Sequence, residues 1–103
     1  MTTDYKIPRE EVKKMKPQDF IGTYTYYLCG LGRRWIQYNE GVNESGDLGG
    51  LAVFSDGDVM RQGGWCYDYR CDEDCKHYKS LEDLVECCPD KELLNLFLKE
   101  HCQ

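Results

Sequence analysis

The segment "LAVFSDGDVMRQ", residues 51–62, carries the clearest structural signal in this 103-residue chain. Two short runs of strand-forming residues flank Asp56-Gly57, a dipeptide that favours a two-residue hairpin turn. The segment therefore predicts two antiparallel strands joined at residues 56–57, and it places a β-sheet at the centre of the fold.

The segments on both sides of this hairpin extend the sheet. Upstream, "GTYTYYLC" (22–29) and "RRWIQYNE" (33–40) are rich in Thr, Tyr, Trp and Ile and enclose the sequence "GLG", which predicts a second hairpin. Downstream, "GGWCYDYR" (63–70) alternates Trp and Tyr with Cys, Asp and Arg, the pattern of a half-buried strand. Four or five antiparallel strands are expected.

Helical patterns lie at the two ends of the chain. "IPREEVKKMK" (7–16) places a proline, then acids, then lysines in the order that the helix dipole favours, and it predicts a short helix. "SLEDLVECC" (80–88) opens close to a capping box, and "PDKELLNLFLKEHC" (89–102) predicts a second helix after it. The residues predicted to face inward are Leu81, Leu84, Val85 and Cys88 on the first helix and Leu94, Phe97, Leu98 and His101 on the second.

These elements predict an α+β fold in a single domain over residues 1–103. The expected architecture is a four- to five-stranded antiparallel sheet with a short N-terminal helix and two C-terminal helices packed on one of its faces. Hydrophobic residues make up 41% of the chain and the mean hydropathy is −0.69. A core this lean is expected to be stapled by a bound metal ion.

The charge of the chain is unevenly distributed. Residues 1–38 contain seven Lys or Arg and four Asp or Glu, whereas residues 39–103 contain six and fifteen, so the two parts carry net charges of +3 and −9. Such a surface repels nucleic acid and anionic membranes and attracts basic proteins. We therefore expect no direct nucleic-acid binding, although Arg33 and Arg34 could form a small basic patch.

The interpretation of the cysteines depends on the compartment in which the protein is expected to lie. The amino terminus contains no apolar run typical of a secretory signal, and no segment approaches the length of a membrane span. Both features predict a cytoplasmic protein without membrane association, in which thiols stay reduced. The number of cysteines, seven, is odd and fits poorly with a fully paired disulfide framework. Cys29 and Cys102 are interpreted as packed thiols.

The stretch "CYDYRCDEDCKH" (66–77) places three cysteines and a histidine within twelve residues. Zinc in structural sites takes four nitrogen or sulfur ligands in a tetrahedron, and we expect such a Zn²⁺ ion here. Helical phase places Cys88 on the apolar face of its helix and Cys87 about 100° away from it. The expected ligands are Cys66, Cys71, Cys75 and Cys88, with His77 and Cys87 as substitutes. Plain buried thiols and disulfides are the alternatives.

No catalytic pattern accompanies these cysteines. The chain contains no C-x-x-C, no H-E-x-x-H, no G-x-S-x-G and no complete dinucleotide fingerprint. A site made mainly of thiolates is more often closed and structural than catalytic. The expectation is that the protein is not an enzyme; a small zinc-dependent or thiol enzyme is kept as an alternative, and Cys29 with His77 is one conceivable thiol–imidazole pair.

The acidic surface is the remaining functional signal. Carboxylates spread over a rigid surface could mimic the phosphates of a nucleic acid and occupy a basic groove on a partner protein. The residues predicted to bind a partner are Asp68, Asp72, Glu73 and Asp74. The chain is thus interpreted as a small acidic protein-interaction module, with an accessory or structural subunit of a complex as an alternative.

In its size, its acidity and its lack of catalytic motifs, the whole chain resembles the anti-CRISPR proteins, small inhibitors encoded by phages and mobile elements. The resemblance rests on this profile and assigns no role to any single residue. It implies that the chain is an inhibitor, that the partner is a basic, nucleic-acid-guided nuclease and that the acidic surface is the binding face.

Overall fold

In the residues that the structure describes, five antiparallel strands and three α-helices form an α+β structure, as the sequence predicts. The computed structural model describes residues 6–28, 32–66 and 75–102, with the backbone alone for Arg9 and residues 63–66. The elements are α1 (Arg9–Val12), a 3-10 helix (Pro17–Phe20), β1 (Tyr24–Leu28), β2 (Arg34–Val42), β3 (Leu48–Phe54), β4 (Val59–Cys66), β5 (Cys75–Tyr78), α2 (Leu81–Cys87) and α3 (Lys91–His101).

The strand order in the sheet is β4-β3-β2-β1-β5. Strands β1 to β4 form a meander in which each strand pairs with the next, and β5 pairs with β1 at the opposite edge from β4. No strand was predicted at residues 75–78, so β5 is an additional strand. The backbone amides of Lys6 and Ile7 both donate to the His77 carbonyl at 3.3 Å, so the N-terminal segment covers part of the outer edge of β5.

The β3–β4 hairpin is confirmed, but its turn is longer than predicted. Phe54 N–H donates to the Asp58 carbonyl at 2.8 Å and Gly57 N–H donates to the Phe54 carbonyl at 2.9 Å, which leaves three residues, 55–57, in the loop. Gly57 has a φ of 96°, the left-handed conformation that closes a three-residue hairpin loop. The glycine therefore follows a tight turn rather than occupying its centre.

The main core lies between the sheet and the two C-terminal helices. Tyr24, Ile36 and Val53 from the sheet pack with Leu84 of α2 and Phe97 of α3, and all five are buried. On α3, Leu94 and Phe97 are buried as predicted, Leu98 and His101 are half-buried, and Leu93 is buried although it was not predicted to face inward. On α2 the prediction is wrong for Val85, whose exposed fraction is 43%, because Leu84 and the following Cys88 define a face that lies about 100° from it.

The other face of the sheet carries a smaller core and the N-terminal segment. Ile7, Val12, Phe20 and Leu48 form a buried cluster there. The Phe20 ring lies 5.1 Å from the ring of His77, which places the cluster beside the β5 edge. The two faces of the sheet are therefore covered by opposite ends of the chain.

Local signals position the helix termini. The Ser80 hydroxyl accepts a hydrogen bond from the Asp83 amide at 3.2 Å, and the Asp90 carboxylate accepts one from the Leu93 amide at 3.1 Å. Both are N-cap bonds that satisfy a backbone donor without an intrahelical partner. The α2 N-terminus at residue 80 is confirmed, and Asp90 adds a cap for α3 next to Pro89.

Candidate functional site

The described cysteines of the predicted zinc site lie on different elements of the fold. Cys66 ends β4 at one edge of the sheet, whereas Cys75 begins β5 at the other edge. Neighbouring strands lie about 4.8 Å apart, so four strand spacings put these backbones on the order of 19 Å apart. Ligands of one zinc ion sit within about 2.3 Å of the metal. The backbones of Cys66 and Cys75 therefore lie far apart, and the side chain of Cys66 lies outside the described part of the structure.

Cys88 lies on the opposite side of the sheet from Cys75. It is buried in the main core with the side chains of Tyr26 and Leu84, whereas Cys75 shares the other face with His77. Cys71 lies outside the described residues, so the four-cysteine set stays a prediction. Cys87 is half-buried against the main core. Within residues 6–28, 32–66 and 75–102, no group of three or more metal-ligating side chains could hold an ion.

Cys75 and His77 form a thiol–imidazole pair on β5. The Cys75 Sγ lies 3.4 Å from His77 Nε2, and His77 Nδ1 lies 3.2 Å from the Thr25 Oγ1 on the neighbouring strand. Both β5 residues are about 1% exposed. A nucleophile and base must be reached by a substrate to act on it, and this pair is enclosed.

The pair belongs to a buried polar row that crosses three strands. Asn39 Nδ2 donates to the hydroxyls of Thr23 (3.0 Å) and Thr25 (3.1 Å), and Gln37 Nε2 donates to the Asn39 Oδ1 at 2.9 Å. Thr25, Gln37 and Asn39 are completely buried. Buried polar groups with partners rigidify and specify one packing arrangement. The row accordingly fixes the register of β1, β2 and β5.

The Cys88 thiol is held in its protonated form by its surroundings. Burial raises the pKa of Cys88, and the nearby Asp90 carboxylate raises it further, against a hydrogen bond in which the thiol donates to the Asp90 carbonyl at 3.7 Å. Zinc ligation and nucleophilic attack both require a thiolate. The environment of Cys88 therefore favours a packed thiol.

A pH effect on stability follows from the raised pKa of Cys88. The unfolded chain releases the thiol proton at about pH 8.5, below the folded-state pKa, so this group's contribution is present at neutral pH and decreases as the pH rises through 9 and above. We expect Cys88→Ala to show a shallower loss of stability than the parent between about pH 8.5 and 10. Urea unfolding under reducing conditions measures this slope. Equal slopes for Cys88→Ala and the parent would contradict the assignment.

The predicted partner-binding acids, Asp68, Asp72, Glu73 and Asp74, lie outside the described residues. An acidic surface is nevertheless present on α2, whose seven residues include three acids and no base. Its outer side forms an open depression of about 440 Å³ with a mainly apolar lining. The lining residues are Leu81, Glu82, Val85 and Glu86. We call this region the α2 surface.

The basic patch expected at Arg33 and Arg34 is neutralised by carboxylates. Arg33 Nη2 lies 2.7 Å from Asp58 Oδ2 and 3.2 Å from Asp56 Oδ2, and its guanidinium lies 3.9 Å above the Phe54 ring. Arg34 forms an ion pair with Asp90, which is largely buried. Neither guanidinium is free to contact a phosphate without first giving up its carboxylate partner.

Comparison with known proteins yields no relative. No protein-family model, no curated protein and no solved structure matches this chain. In the part of the chain that the structure describes, no helix is both long enough and apolar enough to cross a membrane.

Proposed function

We propose that the chain is a protein-interaction module that binds a basic, partly apolar segment of a partner protein through the α2 surface. The observation that carries the proposal is the exposed apolar depression between Glu82 and Glu86. Val85 is 43% exposed, whereas the preceding Leu84 is completely buried in the core. An exposed apolar patch rimmed by charges is typical of a binding site.

The chemistry of the α2 surface selects the partner. Leu81 and Val85 offer apolar contact, and the flanking carboxylates favour lysine or arginine side chains beside it. Glu86 is already 3.2 Å from the Lys6 ammonium, whereas Glu82 has no ion-pair partner in the described part of the chain. Glu82 is therefore the carboxylate most available to a basic partner.

We propose that this module inhibits a basic nucleic-acid-processing protein, such as a nucleic-acid-guided nuclease. The net charge of −9 over residues 39–103 and the neutralised arginines support it, because a surface with these charges competes with phosphates for the same basic groove. The proposal includes no catalytic step. The burial of Cys75 and His77 favours this reading over a thiol enzyme.

Binding to the α2 surface is expected to weaken when its charge or its apolar contact is removed. The probe is a synthetic amphipathic peptide of leucine and lysine, labelled for fluorescence anisotropy. Glu82→Lys replaces an attractive charge by a repulsive one and should weaken binding by about tenfold at low salt, with a smaller effect at high salt because the interaction is screened. Val85→Ser should weaken binding at both salt concentrations, because it removes apolar contact.

A distant acid provides the matched control. Glu44→Lys makes the same charge change in the exposed loop between β2 and β3 and should weaken binding far less. Equal losses of affinity in Glu44→Lys and Glu82→Lys would show that only net charge matters. They would overturn the proposal that the peptide binds the α2 surface. Duplex DNA should compete with the protein for the peptide. A complex that contains the peptide, the protein and the DNA together would overturn the proposal that the protein is an inhibitor.

Zinc stabilisation is a separate proposal for the cysteine segment. Its support is the contact between Cys75 Sγ and His77 Nε2, because two ligands of one tetrahedral zinc lie roughly 3.5 Å apart and this pair is at 3.4 Å. The proposed ligands are therefore Cys75 and His77, with Cys71 as a third. Zn²⁺ bound there would tie β5 to the segment before it.

A further inference from the structure

We infer that a second pocket, between α3 and strands β2 to β4, binds an organic cation of the guanidinium type. The pocket has a volume of about 390 Å³ and shares no residue with the α2 surface. Its lining residues are Tyr38, Glu40, Leu51, Arg61, Gln62, Glu100 and His101. We call it the bulge pocket, because two β-bulges form its walls.

The first bulge lies on β2 at Glu40. Asn39 pairs with Gly50 and Gly41 pairs with Gly49, so Glu40 is an extra residue without a partner on β3. A bulge bends its strand and redirects the side chain of the inserted residue. Here it places the Glu40 carboxylate on the pocket wall.

The second bulge lies on β4, on the other side of β3. Gly50 pairs with Gly63 and Ala52 pairs with Met60, so β4 has one residue more than β3 over this stretch. Gln62 within it has a φ of 64°, the one positive φ of a non-glycine residue in the described ranges. Such a conformation is strained for a non-glycine residue and occurs preferentially at binding sites. The strained residue lines the pocket.

Aromatic rings form one side of the pocket and are fixed in place. The His101 ring stacks on Phe97 with centroids 5.2 Å apart, lies 5.1 Å from the Tyr38 ring, and places Nε2 3.0 Å from the Tyr24 hydroxyl. A planar cation can stack on a tyrosine ring and gains from its negative face. A rigid ring surface lowers the entropy cost of that contact.

The charges around the pocket favour a cation. Glu40 and Glu100 contribute two carboxylates, and Arg61 contributes one positive charge that already pairs with Glu100 at 2.7 Å. Helix α3 ends at His101, so the negative end of its dipole lies at the pocket as well. Glu40 has no ion-pair partner among the described residues and is the carboxylate that a ligand can engage.

The size of the pocket and the shape of its groups indicate a guanidinium rather than a metal ion. Glu40, Glu100 and His101 are not grouped closely enough to ligate one ion, as no metal-binding group occurs in the described ranges. A planar guanidinium can pair with a carboxylate and stack on a ring at the same time. Arg61 demonstrates the first of these contacts at the pocket rim.

Titration with a capped arginine tests the inference. The probe is N-acetyl-arginine-N-methylamide, and binding is followed by residue-specific NMR shifts at Tyr38 and His101. We expect saturable shifts at millimolar concentration, which corresponds to about −4 kcal/mol. Glu40→Gln should weaken the affinity by about two- to fivefold, the value of one exposed ion pair, and Arg61→Gln should strengthen it by a similar factor because it releases Glu100.

Two controls decide the outcome: an uncharged analogue of the probe and a substitution outside the pocket. The citrulline analogue has the same shape without the charge and should not bind, and Glu44→Gln outside the pocket should leave the affinity unchanged. Tighter binding of Gly-Arg-Gly than of methylguanidinium would identify a partner's arginine as the source of the group, and the reverse would identify a free cation. Equal shifts with citrulline, no shifts at about 20 mM probe, or an unchanged affinity in Glu40→Gln would overturn the inference.

Discussion

Replacing Gly50 with alanine is expected to destabilise the protein by about 3 kcal/mol or more. A Cβ atom at this position would lie 2.1 Å from the Tyr38 carbonyl oxygen and 2.9 Å from the Glu40 amide nitrogen. Both are backbone atoms of the neighbouring strand, so relief of the clash requires β2 and β3 to separate. Urea unfolding followed by circular dichroism measures the loss.

Gly41→Ala is the matched control for this substitution. Gly41 lies on β2, one residue past the bulge at Glu40, and a Cβ atom there would meet no other atom within 4 Å. Its effect should remain within about 0.5 kcal/mol. If both variants unfold at the same urea concentration, the two strands do not approach closely at Gly50. The bulge pocket then does not have the wall described here.

Replacing Phe97 with alanine is expected to cost about 3–5 kcal/mol of the free energy of unfolding. Phe97 is completely buried, lies edge-on to the Tyr24 ring at 5.9 Å, and supports the ring of His101. The substitution leaves a cavity at the centre of the contact between α3 and the sheet. Thermal unfolding followed by near-ultraviolet circular dichroism reports the loss, because Tyr24 changes its surroundings.

The exposed Asn95 on the same helix gives the reference value. Asn95→Ala should change stability by less than about 0.5 kcal/mol, since it removes no buried contact. A comparable loss in both variants would show that the packing of Phe97 does not hold α3 on the sheet, because alanine favours the helix more than either original residue.

Features encoded within a few residues of each other could be predicted from the sequence. The Asp56-Gly57 hairpin and the Ser80 cap depend on local turn and capping chemistry, which acts through neighbouring backbone groups. The inward face of α3 follows from the spacing of Leu94 and Phe97. The hairpin loop has three residues and not the predicted two. Of the predicted turn pair Asp56-Gly57, Gly57 alone adopts the left-handed conformation.

Features that depend on strand register could not be predicted. No strand was predicted for Cys75 and His77, because β5 is defined by its pairing with the distant β1. The polar row through Thr25 and Asn39 exists only because three strands align at that level of the sheet.

The bulge pocket was missed for the same reason. Glu40 and Gln62 carry no local signal of a site, and their significance arises from one extra residue on each side of β3. His101, at the end of α3, was predicted to face inward. Its hydrogen bond with the Tyr24 hydroxyl places it at the pocket instead of in the centre of the core.

The position of β5 beside β1 has a consequence for the order of folding events. Pairing within the β3–β4 hairpin joins Val53 to Val59, six positions apart, whereas pairing of β1 with β5 joins Tyr27 to Cys75, 48 positions apart. Closing a longer loop costs more entropy before any contact forms, and distant pairings slow folding. The meander can therefore assemble early as a nucleus, and the docking of β5 is the late step that completes the sheet. Until that step β1 remains an open edge, so the nascent chain depends on its last strand to avoid pairing with another copy.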